Sequence, residues 1–365
     1  MKSTSCKLCT LIWAGLLFMF PKTAFPQTET IYEQSFLKIS SMIDGDRDIN
    51  FKEAVFVVEN AFYDGEKNYN AFSSKIRSLA GMAYSLRDKI DLDYDEPDSA
   101  IVKTYAALWS IMTDTLSFDL GSGVSLVSKP YLYDFNDVFG QEDWSQMFVS
   151  KLLTTRTGNC HSLPYLYKIL AEELGETAHL ALAPNHIYIK HYSKKTGWYN
   201  TELTSASFPI DAWLTASGYI HLDAIRNGVY MDTLSQQESL ALTLIDLAKG
   251  YERKFGIQDG AFMLKAANKA LEVDPNFINA LLLKAETQKK LFEDEMLLRS
   301  IDDPNTLIEQ SEEHRNLFLE MQSIYVKIHH LGYRQMPQEM YLDWLSSLQE
   351  ERERYQNKDI PATQH

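Results

Sequence analysis

Cys160 lies in the segment Thr155–Gly175, TRTGNCHSLPYLYKILAEELG, between a glycine-containing turn and a stretch with helical periodicity. Leu163, Leu166, Tyr167, Leu170 and Leu174 fall on one face, and Gly175 stops the pattern. Asn159 is suited to cap a helix that begins at Cys160, which sets the sulfur at the positive end of the helix dipole and favours the thiolate, the nucleophilic form. Pro164 falls in the first turn, where proline is tolerated. A thiolate nucleophile needs a base and a group that orients the base. His186 opens the alternating stretch HIYIKHY, in which His186, Tyr188 and Lys190 share one face of a strand. If Tyr192 pairs with Thr196 across the turn Ser193–Lys195, His186 faces Glu202. A hairpin two residues longer brings Asn200 there instead, and the shorter turn is the commoner. The chemistry of such a set is acyl transfer: Cys160 attacks a carbonyl, His186 carries the proton, and Glu202 or Asn200 fixes the imidazole. The Cys160 amide is a natural oxyanion donor, and Trp144 or Gln146 on the preceding helix are candidates for a second.

Other groups nearby suggest less. A lone cysteine also serves as a small apolar residue, and only its conjunction with a capped helix start and a strand-borne histidine points to reactivity. A zinc site from Cys160, His161 and His186 lacks the paired ligand spacing that such sites use, so neither metal nor cofactor is expected. His161 is expected to point away from the thiol, and His179 and His191 to sit on strand surfaces. Asp44, Asp46 and Asp48 have calcium-loop spacing, but Ile49 and Val55 stand where Gly and a closing Glu belong; capping of a helix near Asn50 explains them better.

These residues need elements to hold them. From Ile31 to about Lys89 the chain reads as helices joined by YDGEKNYN, and AIVKTYAALWSIMTDTL resumes helical spacing after an acidic break. A turn-rich stretch precedes a helix through WSQMFVSKLL, the Cys160 helix, and the short strands TAHLALA, HIYIKHY and GWYNTELT, an α+β arrangement. Beyond about Ser235 only helices are expected. AFMLKAANKALEVDPNFINALLLKAETQKKL, with Ala267, Ala270 and Pro275, resembles one tetratricopeptide repeat. Gln236–Arg253, Leu307–His330 and Pro337–Tyr355 would complete a degenerate array, an unrelated helical bundle being the alternative. Lys2 and Lys7 before the apolar run Leu8–Phe20 resemble a secretory leader cleaved near Ala24 or kept as an anchor, which would remove or retain Cys6 and Cys9.

GNCHSLPYLYKILAEELG, NHIYIKHY and GWYNTELT together resemble the nucleophile helix, histidine strand and acidic strand of the transglutaminase-like superfamily, over about Asp143 to Thr204. The layout with trailing repeats is similar to bacterial members. The resemblance implies a papain-like core, with the nucleophile helix packed on an antiparallel sheet, and a triad mapping onto Cys160, His186 and Glu202. The family usually has Asp in the third place; Asn200 is the amide alternative. Expected divisions are a leader or anchor over 1–27, a helical region over 28–142, the core over 143–234, an all-α repeat-like region over 235–357 and a disordered tail over 358–365. The expected function is an exported, periplasmic or extracellular, thiol acyl-transfer enzyme acting on a protein or peptide, by hydrolysis or transamidation. The other reading is an inactive peptide- or protein-binding module. The helical C-terminal region offers a surface for a protein partner, and contact with a membrane is expected only through an uncleaved leader. A net charge of −15 without clustered Lys and Arg speaks against nucleic acid.

Overall fold

The computed structural model describes residues 25–356 apart from 120, 122 and 123. The expected leader as far as Ala24, with Cys6 and Cys9, and the tail 358–365 lie outside the described residues. Among those described, no helix is long and apolar enough to cross a membrane.

Four helices come first: α1 (Phe25–Ile43), α2 (Phe51–Phe62), α3 (Tyr69–Arg87) and α4 (Ser99–Thr113). Asn50 Oδ1 accepts the Glu53 amide at 2.9 Å, so the segment after Asp48 caps α2. The hairpin β1 (Leu116–Asp119) and β2 (Ser125–Ser128) follows, then β3 (Leu132–Tyr133), a 3₁₀ turn over Trp144–Met147 and α5 (Val149–Thr155). The single helix expected through Trp144–Leu153 is thus broken at Phe148, whose backbone is extended. The cause lies on α2: the buried Glu59 carboxylate accepts the Val149 and Ser150 amides at 2.7 and 2.9 Å and starts a new helix there.

Arg156, in the left-handed region, ends α5, and β4 (Thr157–Gly158) pairs in parallel with β3. α6 (Ser162–Glu173) is buried from Ser162 to Ala171, because α3, α4 and α5 and the main sheet surround it. That sheet is antiparallel in the order β5 (His179–Ala183), β6 (His186–Ser193), β7 (Gly197–Thr201), which makes the chain α+β. His191 does not sit on the strand surface: it is 1% exposed and stacked against Tyr105 of α4 at 3.8 Å. Alternation along β6 turns it toward the helices, opposite to His186.

After α7 (Asp211–Ser217) and α8 (Leu222–Arg226), a Ser235/Glu238 capping box opens α9 (Gln236–Phe255). α10 (Ala261–Val273) packs on α9 and on α11 (Ile278–Leu298), with Ala266, Ala267 and Ala270 buried at the contacts. α9 also packs on α1 and α2, so these helices continue the body formed by the first ones. The helix expected over Leu307–His330 is divided into α12 (Pro304–Gln310) and α13 (Glu312–His330), because the Ser311 hydroxyl accepts the His314 amide at 3.1 Å and restarts it. α14 (Gln338–Gln356) does not extend the row as expected. Gly332, at φ +90, brings the chain so close to α8 that a Cβ would lie 2.3 Å from the Ala224 nitrogen, and α14 turns back over β6.

Candidate active site

Regular helix begins at Ser162, two residues later than expected, and Cys160 occupies the turn before it. Asn159 still caps: its Oδ1 accepts the His161 and Ser162 amides at 3.0 and 3.3 Å. Ser162 Oγ reciprocates, accepting the Asn159 amide at 3.1 Å and donating to the Gln146 carbonyl at 2.9 Å. The turn closes tightly enough that a Cβ at Gly158 would lie 2.3 Å from Ser162 Oγ. Only glycine fits there.

His186 follows the turn Pro184–Asn185, where Asn185 takes φ +57, a conformation asparagine tolerates, and its carbonyl comes 3.7 Å from Cys160 Sγ. The strand register differs from the expected one. Tyr192 pairs with Trp198 rather than Thr196, because Lys194–Thr196 form the loop and Gly197 takes the positive φ that ends it. Thr201 therefore faces Ile189, which carries Glu202 to the level of Tyr188, one diagonal step from His186. The Glu202 side chain spans that step: its Oε2 lies 2.6 Å from His186 Nε2, and its Oε1 accepts the Thr204 amide at 2.7 Å. Asn200 does not reach the imidazole. It faces Lys190 and donates to the Pro209 carbonyl and Asp211 Oδ1 at 2.9 and 2.7 Å.

Two tyrosines that the sequence did not single out enclose the sulfur. Tyr341, from α14, donates to Cys160 Sγ at 3.2 Å and lies 3.1 Å from His186 Nδ1. A hydroxyl has one proton. Given to the sulfur, it leaves the oxygen to accept from Nδ1–H, while Nε2–H donates to Glu202. These directions suit a thiolate beside an imidazolium. Burial works against charge on the sulfur, but the His186 hydrogen bond and charge, aided by Tyr341, outweigh it and hold the thiol below its ordinary range. Burial also works against the His186 cation; the Glu202 carboxylate, with the sulfur, lifts the imidazole to about 10. The buried Tyr133 hydroxyl lies beside Cys160 and Tyr341 and interacts with both, without a hydrogen bond of good geometry to either.

The remaining candidates point elsewhere. His161 directs its ring nitrogens to the Met147 carbonyl at 3.0 Å and to Asp246 at 2.9 Å. Gln146 commits its amide group to Asp134 at 2.6 Å, and Trp144 lines a small cavity with His161 and Asp246; neither serves the sulfur as an oxyanion donor. Among the described residues no cluster of His, Cys, Asp and Glu is placed to hold a metal ion.

No model of a known family, no characterised protein and no solved structure matches the chain. What the residues do is therefore argued from their geometry. Cys160 is 9% and His186 3% exposed, and α14 is the cover: Tyr341 fills the space over the sulfur, and Trp344 stands edge-on to the His186 ring at 4.8 Å. Trp344 is itself held by Ser217 at 3.1 Å. A carbonyl reaches Sγ only when α14 moves aside.

Proposed function

We propose that the chain is a transglutaminase-like thiol acyl-transfer enzyme in which Cys160, His186 and Glu202 form the triad. The observation that carries this reading is the unbroken line of polar contacts from sulfur through imidazole to a buried carboxylate, with the thiol's proton affinity lowered and the imidazole's raised. The Cys160 thiolate attacks an amide carbonyl, and the oxyanion is received by the Cys160 amide and the Tyr133 hydroxyl, which replaces Trp144 and Gln146 in that role. His186 Nδ1 gives its proton to the departing amine, leaving a thioester. Water or a second amine then attacks the thioester, His186 takes its proton, and the thiolate is released. Glu202 keeps the imidazole oriented and stabilises its charge. A papain-like core around α6 and β5–β7, a repeat-like role for α9–α13 and export directed by the first residues belong to the same proposal. The substrate class is a protein or peptide.

Incubation with a fluorogenic peptide amide, with and without an added primary amine, tests it. Release of the fluorophore in the native chain but not in Cys160→Ala supports the enzyme, and the product formed with amine separates hydrolysis from transamidation. Equal signals in both proteins leave the second reading, a peptide-binding module, which the closure of α14 over Cys160 favours.

A further inference from the structure

The faces of β6 and β7 turned away from Cys160 carry His191, Tyr199 and Thr201, which with α4 and α6 enclose a cavity of about 290 Å³. Its walls are mostly rings. Tyr105 and Tyr199 flank the interior, and Trp109 and Phe208 meet at the rim with centroids 4.3 Å apart. Phe208 is 54% exposed, so the cavity reaches the surface there. The floor differs in kind: His191 and Thr201 are each 1% exposed, and His191 Nδ1 and Thr201 Oγ1 have no hydrogen-bond partner.

The protons around His191 can be placed. The Tyr167 hydroxyl lies 3.1 Å from the Tyr105 carbonyl, which only accepts, so the hydroxyl proton is spent there. The same oxygen lies 3.1 Å from His191 Nε2 and must accept from it. Nε2 is thus the protonated nitrogen, and Nδ1 is a bare, buried lone pair on a ring that lines the apolar cavity. Burial holds the ring neutral, its pKa lowered to about 3. An unpaired buried acceptor destabilises a fold unless something donates to it, and ligand sites combine apolar walls with a few such groups.

We propose that this cavity binds a small planar aromatic molecule with one hydrogen-bond donor, a phenol or an indole, whose ring lies among Tyr105, Trp109 and Tyr199 and whose O–H or N–H meets His191 Nδ1. The volume suits one or two fused rings. The site is independent of Cys160.

Titration of the full chain with indole and with 1-methylindole, followed by calorimetry and by ¹⁵N NMR of the histidines, is the test. Indole saturates a single site, and 1-methylindole, lacking the donor, binds at least about tenfold more weakly, a difference of about 1.4 kcal/mol. The His191 Nδ1 resonance shifts toward that of a hydrogen-bonded nitrogen with indole only. Ala106→Phe, which fills the cavity from its half-buried wall, abolishes binding while leaving the alkylation profile of Cys160 unchanged. Equal binding of the two ligands, no saturable binding of indole, or an unmoved His191 resonance overturns the proposal in the native chain, whatever the variant does.

Discussion

At position 202 the strand register decides which acid can touch the imidazole. Glu202 stands at the level of Tyr188, and its length covers the diagonal to His186. Glu202→Asp is therefore expected to behave like Glu202→Gln: in both, the His186 pKa, followed by NMR, falls well below its native value of about 10, because the carboxylate that opposes the burial penalty is withdrawn or removed. Tyr133→Phe keeps the ring and deletes the hydroxyl beside the sulfur. In the proposed mechanism it lowers kcat on an activated ester by about 10²-fold and leaves KM nearly unchanged. Cys160, His186 and Glu202 were legible because each has a local signal: a capped turn, a strand entry and an alternating strand. The register was not, since the choice between Thr196 and Trp198 as the partner of Tyr192 rests on Gly197 ending the loop. Tyr341, 181 residues from Cys160, gives no local signal.

Among the elements, the helices followed from periodicity, and their interruptions did not. The break at Phe148 is made by Glu59 on another helix, and no window around Phe148 contains that information. The destination of α14 is a tertiary fact of the same kind. Its buried Tyr341, Trp344, Leu345 and Leu348 form one stripe, which a stacked repeat and a cover over β6 satisfy equally well. Two variants test the cover. Trp344→Ala is expected to weaken docking of α14 by about 3 kcal/mol, raising the open population more than about 100-fold. Gly332→Ala is expected to displace the chain from α8, where its Cβ would collide with backbone. Both should speed alkylation of Cys160 and hydrogen exchange in α14 while leaving exchange in α6 slow; unchanged rates in both would show that α14 does not control access.

For the whole molecule, the sheet and α6 join helices from both ends of the chain, and buried charge links their stability to pH. Burial lifts the Glu59 carboxyl to about 7, against the opposing hydrogen bonds from Ser150 and Val149. A carboxyl with a folded pKa above its unfolded one favours the fold in its protonated form, so this contribution is full below about pH 4.5 and lost as the pH rises through 7. Glu59→Gln should thus remove a decline in unfolding free energy on the order of 3 kcal/mol between those limits, measured by urea denaturation. The most direct test of the account is the midpoint of the pH profile for iodoacetamide alkylation of Cys160, from about pH 4 to about pH 9, in the native chain and in His186→Ala. The midpoint reports the thiol because reagent kept dilute makes alkylation slower than the opening and closing of α14, so that opening only scales the rate. A native midpoint well below about 8.5 that moves up in the variant is the predicted result; a midpoint at or above about 8.5 in both would contradict the Cys160–His186 pair.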